Sequence, residues 1–398
     1  MLYIGAGATL VTTWSSMNAA WNLAAIGVLV VGIAIPLLSS TDASAQDGPQ
    51  GIITPTVFAP FDPDAASCGV PPGLARTLAY VQENDREFLE GVNHGLSLAA
   101  ADRGLEYRRV LTDSDAPKAA AEIRDLVAAK VGAMVATSSD PAAVSKDIQK
   151  AIWSGSFVGT VVPPPATLIL NAPQYQTGKV LADAAIDYIK TKLSGNAKVV
   201  LLTQDTMQYL APRFQAMRDE LSQLPGVTVV ADIAPTPVTE QGGYDTMMTV
   251  LQAIPDVDVV LGADAVVLGA LRALRDAKKD RPEQFLGGID GEPQAVAEIK
   301  SGNGPYKASI ALNSPVFGYA MGQYGADWLA GKSIPQAMDI LPIALTGDNL
   351  AAYEADLQDP AAAFNDLARR AAYLRMYGNI CYDTRDQYVN FPWSSENR

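Results

Sequence analysis

Two aspartates stand where apolar runs give way to helical patterns: VDVVLG precedes Ala263-Asp264, and FLGGI precedes Asp290-Gly291. In an open parallel sheet that junction is where ligand-facing groups collect. A carboxylate there accepts hydrogen bonds from hydroxyls, and Asp85 with Asp290 could formally act as a general acid and base. Asp264 can equally cap the helix that begins at Ala265. Two polar turns add to these. Gln82, Asn84 and Asp85 follow TLAYV, and Gln204, Asp205, Gln208 and Tyr209 follow VVLLT. Short amides and carboxylates in such turns either bind ligand hydroxyls or cap the next helix.

Other chemistries lack their residues. His94 is the sole histidine, and Cys68 and Cys381 are the sole cysteines, too few for a His/Cys metal cluster. His94 lies on a helix whose buried face is Phe88, Val92, Leu96 and Ala99, and reads as a solvated or structural histidine. GxSxG, HExxH and a phosphate loop are absent. YIGAGATL has Leu10 where a dinucleotide fingerprint needs its third glycine, and no strand precedes it. No catalytic residue, metal or cofactor is expected.

The elements that must position the polar turns alternate. TLAYV, EYRRVL, VGAMVATS and FVGTVV are strand patterns, each followed by a helical one or, after the last, by the prolines Pro163–Pro165. TLILN then crosses into a second series, AKVVLLT, VTVVADIA, VDVVLG and FLGGID, and SIALNSP reads as a return crossing. Such β-α units make right-handed doubly wound sheets. The fold class is α/β: two doubly wound Rossmann-like lobes joined by a multi-strand hinge, with a ligand cleft between the carboxyl ends of the sheets.

Asn22–Leu38 is almost wholly apolar, and Ala43 and Ala45 fit the small-residue cleavage pattern of a secretory signal over residues 1–45. The alternative is an uncleaved membrane anchor, and either places the remainder outside the cytoplasm, in a periplasm. A net charge of −14 repels phosphate backbones and anionic lipid alike.

From Arg76 to about Asn349 the order of segments resembles the type I periplasmic solute-binding proteins of ABC importers, in the ribose and galactose branch. ENDREFLEGVNHGLSLAAADRGLEY is similar to that family's first loop and helix, and AEIRDLVAAKVGAMVATSSDPAAV to its following paired segment, which brings Ser138 to a binding position. VLGADAVVLGALRALRDA resembles NDxxAxGAxxAL, and LGGIDGEPQAVAEIKSG resembles xxGFDGxPxAxxxIxxG. The same module serves lactose-type repressors, but residues 1–75 contain no Lys, Arg or His with which to hold DNA.

The resemblance implies lobes of 76–168 plus 314–335 and 169–313 plus 336–349, after an irregular leader, 46–75. It implies a ligand set of Gln82, Asn84, Asp85, Ser138, Gln204, Gln208, Tyr209, Asp264, Asp290 and Asn313. Gln208 stands nearest the position of a family arginine, and Asn313 lies one residue beyond a family glutamine, which aligns with Leu312. Ala263 replaces the usual asparagine before Asp264. Pro163-Pro164 replace an Asp-Arg pair that grips sugar hydroxyls, which allows a smaller, more apolar or differently functionalised solute.

Residues 350–398 extend beyond the family's usual end and carry eight aromatic residues, an argument for docking on the body. One helix is expected through AAAFNDLARRAAYLRMYG, stopped by Gly378. In an oxidising compartment Cys68 and Cys381 would join leader to tail. The expected function is capture of a small polar solute, a sugar, polyol or sugar-like molecule, by a monomer without catalysis. The resemblance implies a membrane permease and ATPase as partners; a signalling receptor, or an enzyme on the same scaffold, are the alternatives.

Overall fold

The computed structural model describes residues 48–161 and 164–396. The expected secretory segment, residues 1–45, with its glycine pair, and Pro163 lie outside them. Among the described residues no helix is long and apolar enough to cross a membrane.

The first series runs β1 (Ala75–Gln82), α1 (Glu87–Asp102), β2 (Glu106–Leu111), α2 (Ala116–Ala128), β3 (Val131–Thr137), α3 (Pro141–Trp153), β4 (Phe157–Val161) and β5 (Leu168–Asn171). β3 is buried along its whole length, as a central parallel strand covered on both faces must be. α2 and α3 start where an aspartate and a proline coincide: Asp115 accepts from Lys118 N at 2.9 Å and Asp140 from Ala143 N at 3.2 Å. The second series is α4 (Gln174–Lys192), β6 (Ala197–Leu202), α5 (Ala211–Leu221), β7 (Val227–Ile233), α6 (Glu240–Ala253), β8 (Val259–Gly262), α7 (Asp264–Asp276), β9 (Phe285–Ile289), α8 (Pro293–Ser301) and β10 (Tyr306–Ala311). The chain then returns through α9 (Ser314–Leu329), β11 (Ala337–Ile340), β12 (Ile343–Leu345), α10 (Leu350–Gln358), α11 (Pro360–Asn365), α12 (Leu367–Tyr373) and β13 (Leu374–Tyr377).

The strands form two sheets, ordered β13-β11-β5-β4-β3-β1-β2 and β12-β10-β9-β8-β6-β7. All neighbours are parallel except β13 on β11 and β12 on β10. α9 packs on α1 at backbone distance, since a Cβ on Gly95 would fall 2.1 Å from the Pro315 carbonyl. Trp328 at the far end of α9 is fully buried, and its Nε1 donates to Gly155 O at 2.9 Å.

Two lobe boundaries differ from expectation. TLILN does not cross: β5 pairs with β4, Ile169 opposite Thr160, so the first crossing follows Asn171. Residues 337–340 belong to the first sheet, where Met338 lies opposite Leu170, and only β12 joins the second. The physical reason is the ladder, because β5 leaves an open edge whose amides β11 fills. The hinge is thus three short crossings, after β5, after β10 and between β11 and β12.

The extension also departs from the single expected helix. Asp366 takes an extended backbone, φ −81° and ψ 117°, and accepts from Ala368 N and Arg369 N, so α11 ends and α12 begins there. LRMY then leaves the helix to pair with β11. Phe364 packs between Tyr319 and Tyr324 of α9, with ring centroids at 5.5 and 6.2 Å. The leader lies beside the tail, Ile52 opposite Val389 and Pro60 opposite Tyr377. Cys68 and Cys381 are bonded, their Cα atoms 6.1 Å apart, across 313 residues of chain. A cross-link over so long a loop constrains the unfolded chain strongly, and the paired Cys68→Ser, Cys381→Ser variant should lose about 2 to 4 kcal/mol in urea unfolding. Equal midpoints for the two proteins would mean that aromatic packing alone fastens leader to tail.

Candidate functional site

The carboxyl ends of the two sheets face a cleft of about 2530 Å³. Small-solute pockets are commonly about 300 to 1,000 Å³, so the lobes stand apart in this form.

Asp290 follows β9 at φ 122°, and Gly291 at φ 71° completes the turn. An aspartate in that region is strained, and neighbours hold it: Asp290 N donates to Ile310 O at 2.8 Å and Gly291 N to Ser309 Oγ at 3.0 Å. The carboxylate thereby projects into the cleft, its side chain 48% exposed. Arg213 Nη1, from the first turn of α5, lies 3.7 Å from Asp290 Oδ1. Arg213 is itself buried, and its Nε donates to Gln174 Oε1 at the start of α4. Desolvation within the cleft raises the Asp290 carboxyl above its ordinary range, opposed by Arg213 and by Arg86 across the cleft.

Of the other expected ligand residues, Asn84, Gln204 and Tyr209 border this cleft. Asn84 also accepts from Arg86 N at 3.1 Å, so it shapes the turn before α1 as well as facing the ligand space. Gln82 is fully buried and spent inside the first lobe: its amide donates to Asn84 O and Glu90 Oε1, and its oxygen accepts from Arg109 Nε at 2.8 Å. Ser138 closes a turn with Asp140, Asp85 and Gln208 face solvent, and none of the three borders the cleft. Asn313 caps α9 by accepting from Val316 N at 3.2 Å, and it is Leu312 that reaches the cleft.

Asp264 neither caps α7 nor reaches the cleft. It is fully buried beneath the Asp290 turn. Its Oδ1 accepts from Tyr306 OH at 2.6 Å, and its Oδ2 accepts from Ser309 OH at 2.7 Å and Glu292 N at 2.8 Å. Gly288 makes room for it, because a Cβ there would lie 1.8 Å from Asp264 Oδ1. Burial pushes this carboxyl up to about 7, against the pull of the three donors.

Several cleft residues carried no local signal in the sequence. Arg86, Glu87 and Phe88 open α1, and His94, read as solvated or structural, is exposed and also borders the cleft. Arg213 borders the cleft where Gln208 was expected to, five residues further on; the APRF start of α5 was the available cue, since Pro212 sets the first turn and the next residue faces back over it. The extension supplies Tyr353, Arg375, Tyr377, Trp393 and Glu396.

Among the described residues, seven acidic side chains and three arginines border the cleft. Four of the acids already have protein donors: Glu83 takes Ser139 N, Glu90 takes Arg109, Glu354 takes Lys300 and Glu396 takes two amides of α4. Of these four only Glu90 and Glu354 are paired with cations, so Glu83, Glu87, Asp290, Glu292 and Glu396 stand with Arg86, Arg213 and Arg375 on the wall. Asn84, Asn171, Gln174, Gln176 and Gln204 add neutral donors and acceptors. This wall suits a molecule rich in hydroxyls, each of which can donate to a carboxylate and accept from an amide or guanidinium.

The Asp264 hub yields a pH prediction. Folded Asp264 holds its proton up to about pH 7, whereas an unfolded aspartate ionises near pH 4. Its contribution to stability is therefore full below about pH 4 and is lost as pH rises through about 7. The stability advantage of the wild type over Asp264→Asn should fall by a few kcal/mol between about pH 4 and pH 8 in urea melts, since each tenfold change in proton affinity is worth about 1.4 kcal/mol. A pH-independent difference would show the folded carboxylate to be ionised throughout.

The sequence model of the periplasmic binding protein domain matches residues 78–333. The ribose import binding protein of Bacillus subtilis (strain 168) is 27% identical over 266 residues, covering 63% of this chain and 80% of that protein. A periplasmic ribose ABC transporter protein from Conexibacter woesei superposes with a TM-score of 0.61 at 17% identity, over 72% of this chain and 97% of that one. A solute-binding protein from Bacillus halodurans with bound myo-inositol gives 0.58 at 18% identity, over 71% and 99%. A 5-methylthioribose transporter solute-binding protein from Thermotoga lettingae gives 0.57 at 20% identity, over 76% and 95%. These structures share the two-lobe fold and the order of its elements. With two parallel-sheet lobes about a cleft and a family match over most of its body, the chain belongs to the type I periplasmic binding proteins.

Proposed function

We propose that the protein is an extracytoplasmic receptor that captures a hydroxyl-rich solute, a sugar, polyol or sugar-like molecule, for import by an ABC-type permease and ATPase. The observation that carries this reading is the cleft wall itself: Asp290 and Arg213 on one lobe face Asn84 and Arg86 on the other, among amides that donate and accept together. The related proteins whose names specify ribose, 5-methylthioribose or myo-inositol support the same ligand class. Pro164 stands outside the cleft wall, so the first lobe's grip falls to Asn84 and Arg86. Export through the secretory segment belongs to the same reading.

Ligand binding and closure are one equilibrium. A solute that touches both lobes has more partners when the lobes approach, so it binds the closed form better and draws the population toward it. The closed surface is what a permease would recognise. No bond in the ligand is made or broken.

Thermal melting against sugars, polyols and related metabolites tests this. A ligand at about 100 times its Kd should add roughly 2.7 kcal/mol of stability. The bound compound should be recovered with unchanged mass. Asp290→Asn preserves shape and tolerates the positive φ, yet loses a charged acceptor; it should weaken binding about ten- to a hundredfold, read by calorimetry, with little change in the ligand-free melt. Recovery of a chemically altered compound, or binding that Asp290→Asn and Arg213→Ala both leave intact, would overturn the reading.

A further inference from the structure

The family match ends at residue 333, yet residues beyond it reach both lobes. Two such contacts flank the hinge. On one side Lys300 of α8 donates to both carboxylate oxygens of Glu354 at 3.0 Å, and Glu354 sits on α10, whose Leu350 and Tyr353 are buried in the first-lobe core. On the other side the tail is fixed to the edge of the first sheet. Trp393 stacks on Phe58 and leans on Tyr377 at 5.9 and 5.1 Å, and its Nε1 donates to Thr56 O at 3.2 Å. Three residues later Glu396 meets the second lobe, accepting from Gln176 N at 2.8 Å and Tyr175 N at 3.2 Å.

Those amides open α4, a helix whose own N-cap, Pro173, offers no side-chain acceptor and whose first turn holds no acid. Glu396 supplies both the missing acceptor and the negative charge that a helix N-terminus favours. Gln174, in the same first turn, accepts from Arg213 Nε, and Arg213 faces Asp290. Contacts and short stretches of chain therefore link the first-lobe edge at Trp393, through Glu396 on the first turn of α4 and Gln174 in that turn, to Arg213 in the cleft.

We infer that the C-terminal extension is a clasp between the lobes and that Glu396 is a positioning residue for Arg213. The clasp restrains the open form, and it holds Arg213 where the ligand arrives. The role assigned to Arg213 rests on the receptor reading above; the clasp does not.

The test uses the full chain without ligand, so it stands whether or not the ligand has been identified. Spin labels at Asp125→Cys and Gln223→Cys, exposed sites on or just after helices of opposite lobes, report the interlobe distance. The Arg213 Nε–H resonance, assigned by its disappearance in Arg213→Lys, reports the position of the arginine. In Glu396→Ala, and in a chain ending at Phe391, the distance distribution should lengthen and broaden, and the Arg213 signal should shift and exchange faster with solvent. Glu396→Gln, which keeps an acceptor, should restore the Arg213 signal in part. Unchanged distances in both variants would overturn the clasp. Altered distances with an unmoved Arg213 signal would overturn the positioning role alone.

Discussion

Asp264 is a carboxyl group with no exposure and, among the described residues, no ion-pair partner, held by two hydroxyls and one backbone amide. The Asp290 turn, and with it the second-lobe wall of the cleft, depends on it. Its donors come from β10 and from the turn after β9, so it fastens that turn to the strand beside it. Ser309 serves twice, donating to Asp264 and accepting from Gly291 N, and Asp290 is kept at a strained φ between these bonds. A buried network of this kind is stable only when every member is satisfied, and here all three donors find an oxygen. The carboxylate that borders the cleft is aimed by one that lies beneath it.

A second buried carboxylate organises the hinge. Asp339 on β11 accepts from Asn171 Nδ2 at 2.7 Å, where β5 ends, and from Tyr377 OH at 2.9 Å on β13. It stands just before one crossing, and Asn171 stands just before another. Burial raises the Asp339 carboxyl as it does that of Asp264. Because β5 and β11 stay in the first sheet, the crossings are short, and bending concentrates in a few residues between well-packed lobes. The added strand β13 thickens one edge of the first sheet beside the hinge, the bonded cysteines fasten its far end near Gly331, and α10 covers another part of the cleft.

The cleft combines a hydroxyl-compatible wall with apolar surface. Phe88, Leu312 and Tyr353 border it alongside the amides and the ion pairs. Closing such a space removes water from both kinds of surface. Polar groups accept that change only if the ligand replaces the lost hydrogen bonds, and this makes closure selective. Closing the lobes without ligand would strip water from Glu87, Asp290 and Glu292 with nothing to replace it, which disfavours closure.

Period and composition settled the α/β class, because buried parallel strands read as continuous apolar runs and helices as spaced ones. Asp290 was legible for the same reason: it directly follows such a run and precedes a glycine. The polarity of the turns at Asn84 and Gln204 was legible too. Local sequence does not encode which way a side chain faces once its turn is built. Gln82 and Asp264 turned inward because other elements brought Arg109, Tyr306 and Ser309 to them, partners 27, 42 and 45 residues away. Tertiary pairing likewise kept Leu168–Asn171 and Ala337–Ile340 in the first sheet, where each supplies the ladder the other lacks. Arg213 and Glu396 entered the site only through the packing of α4. A sequence determines each element by interactions within a few residues, whereas an edge strand, a buried carboxylate and a cleft wall take their partners from whatever the fold brings alongside.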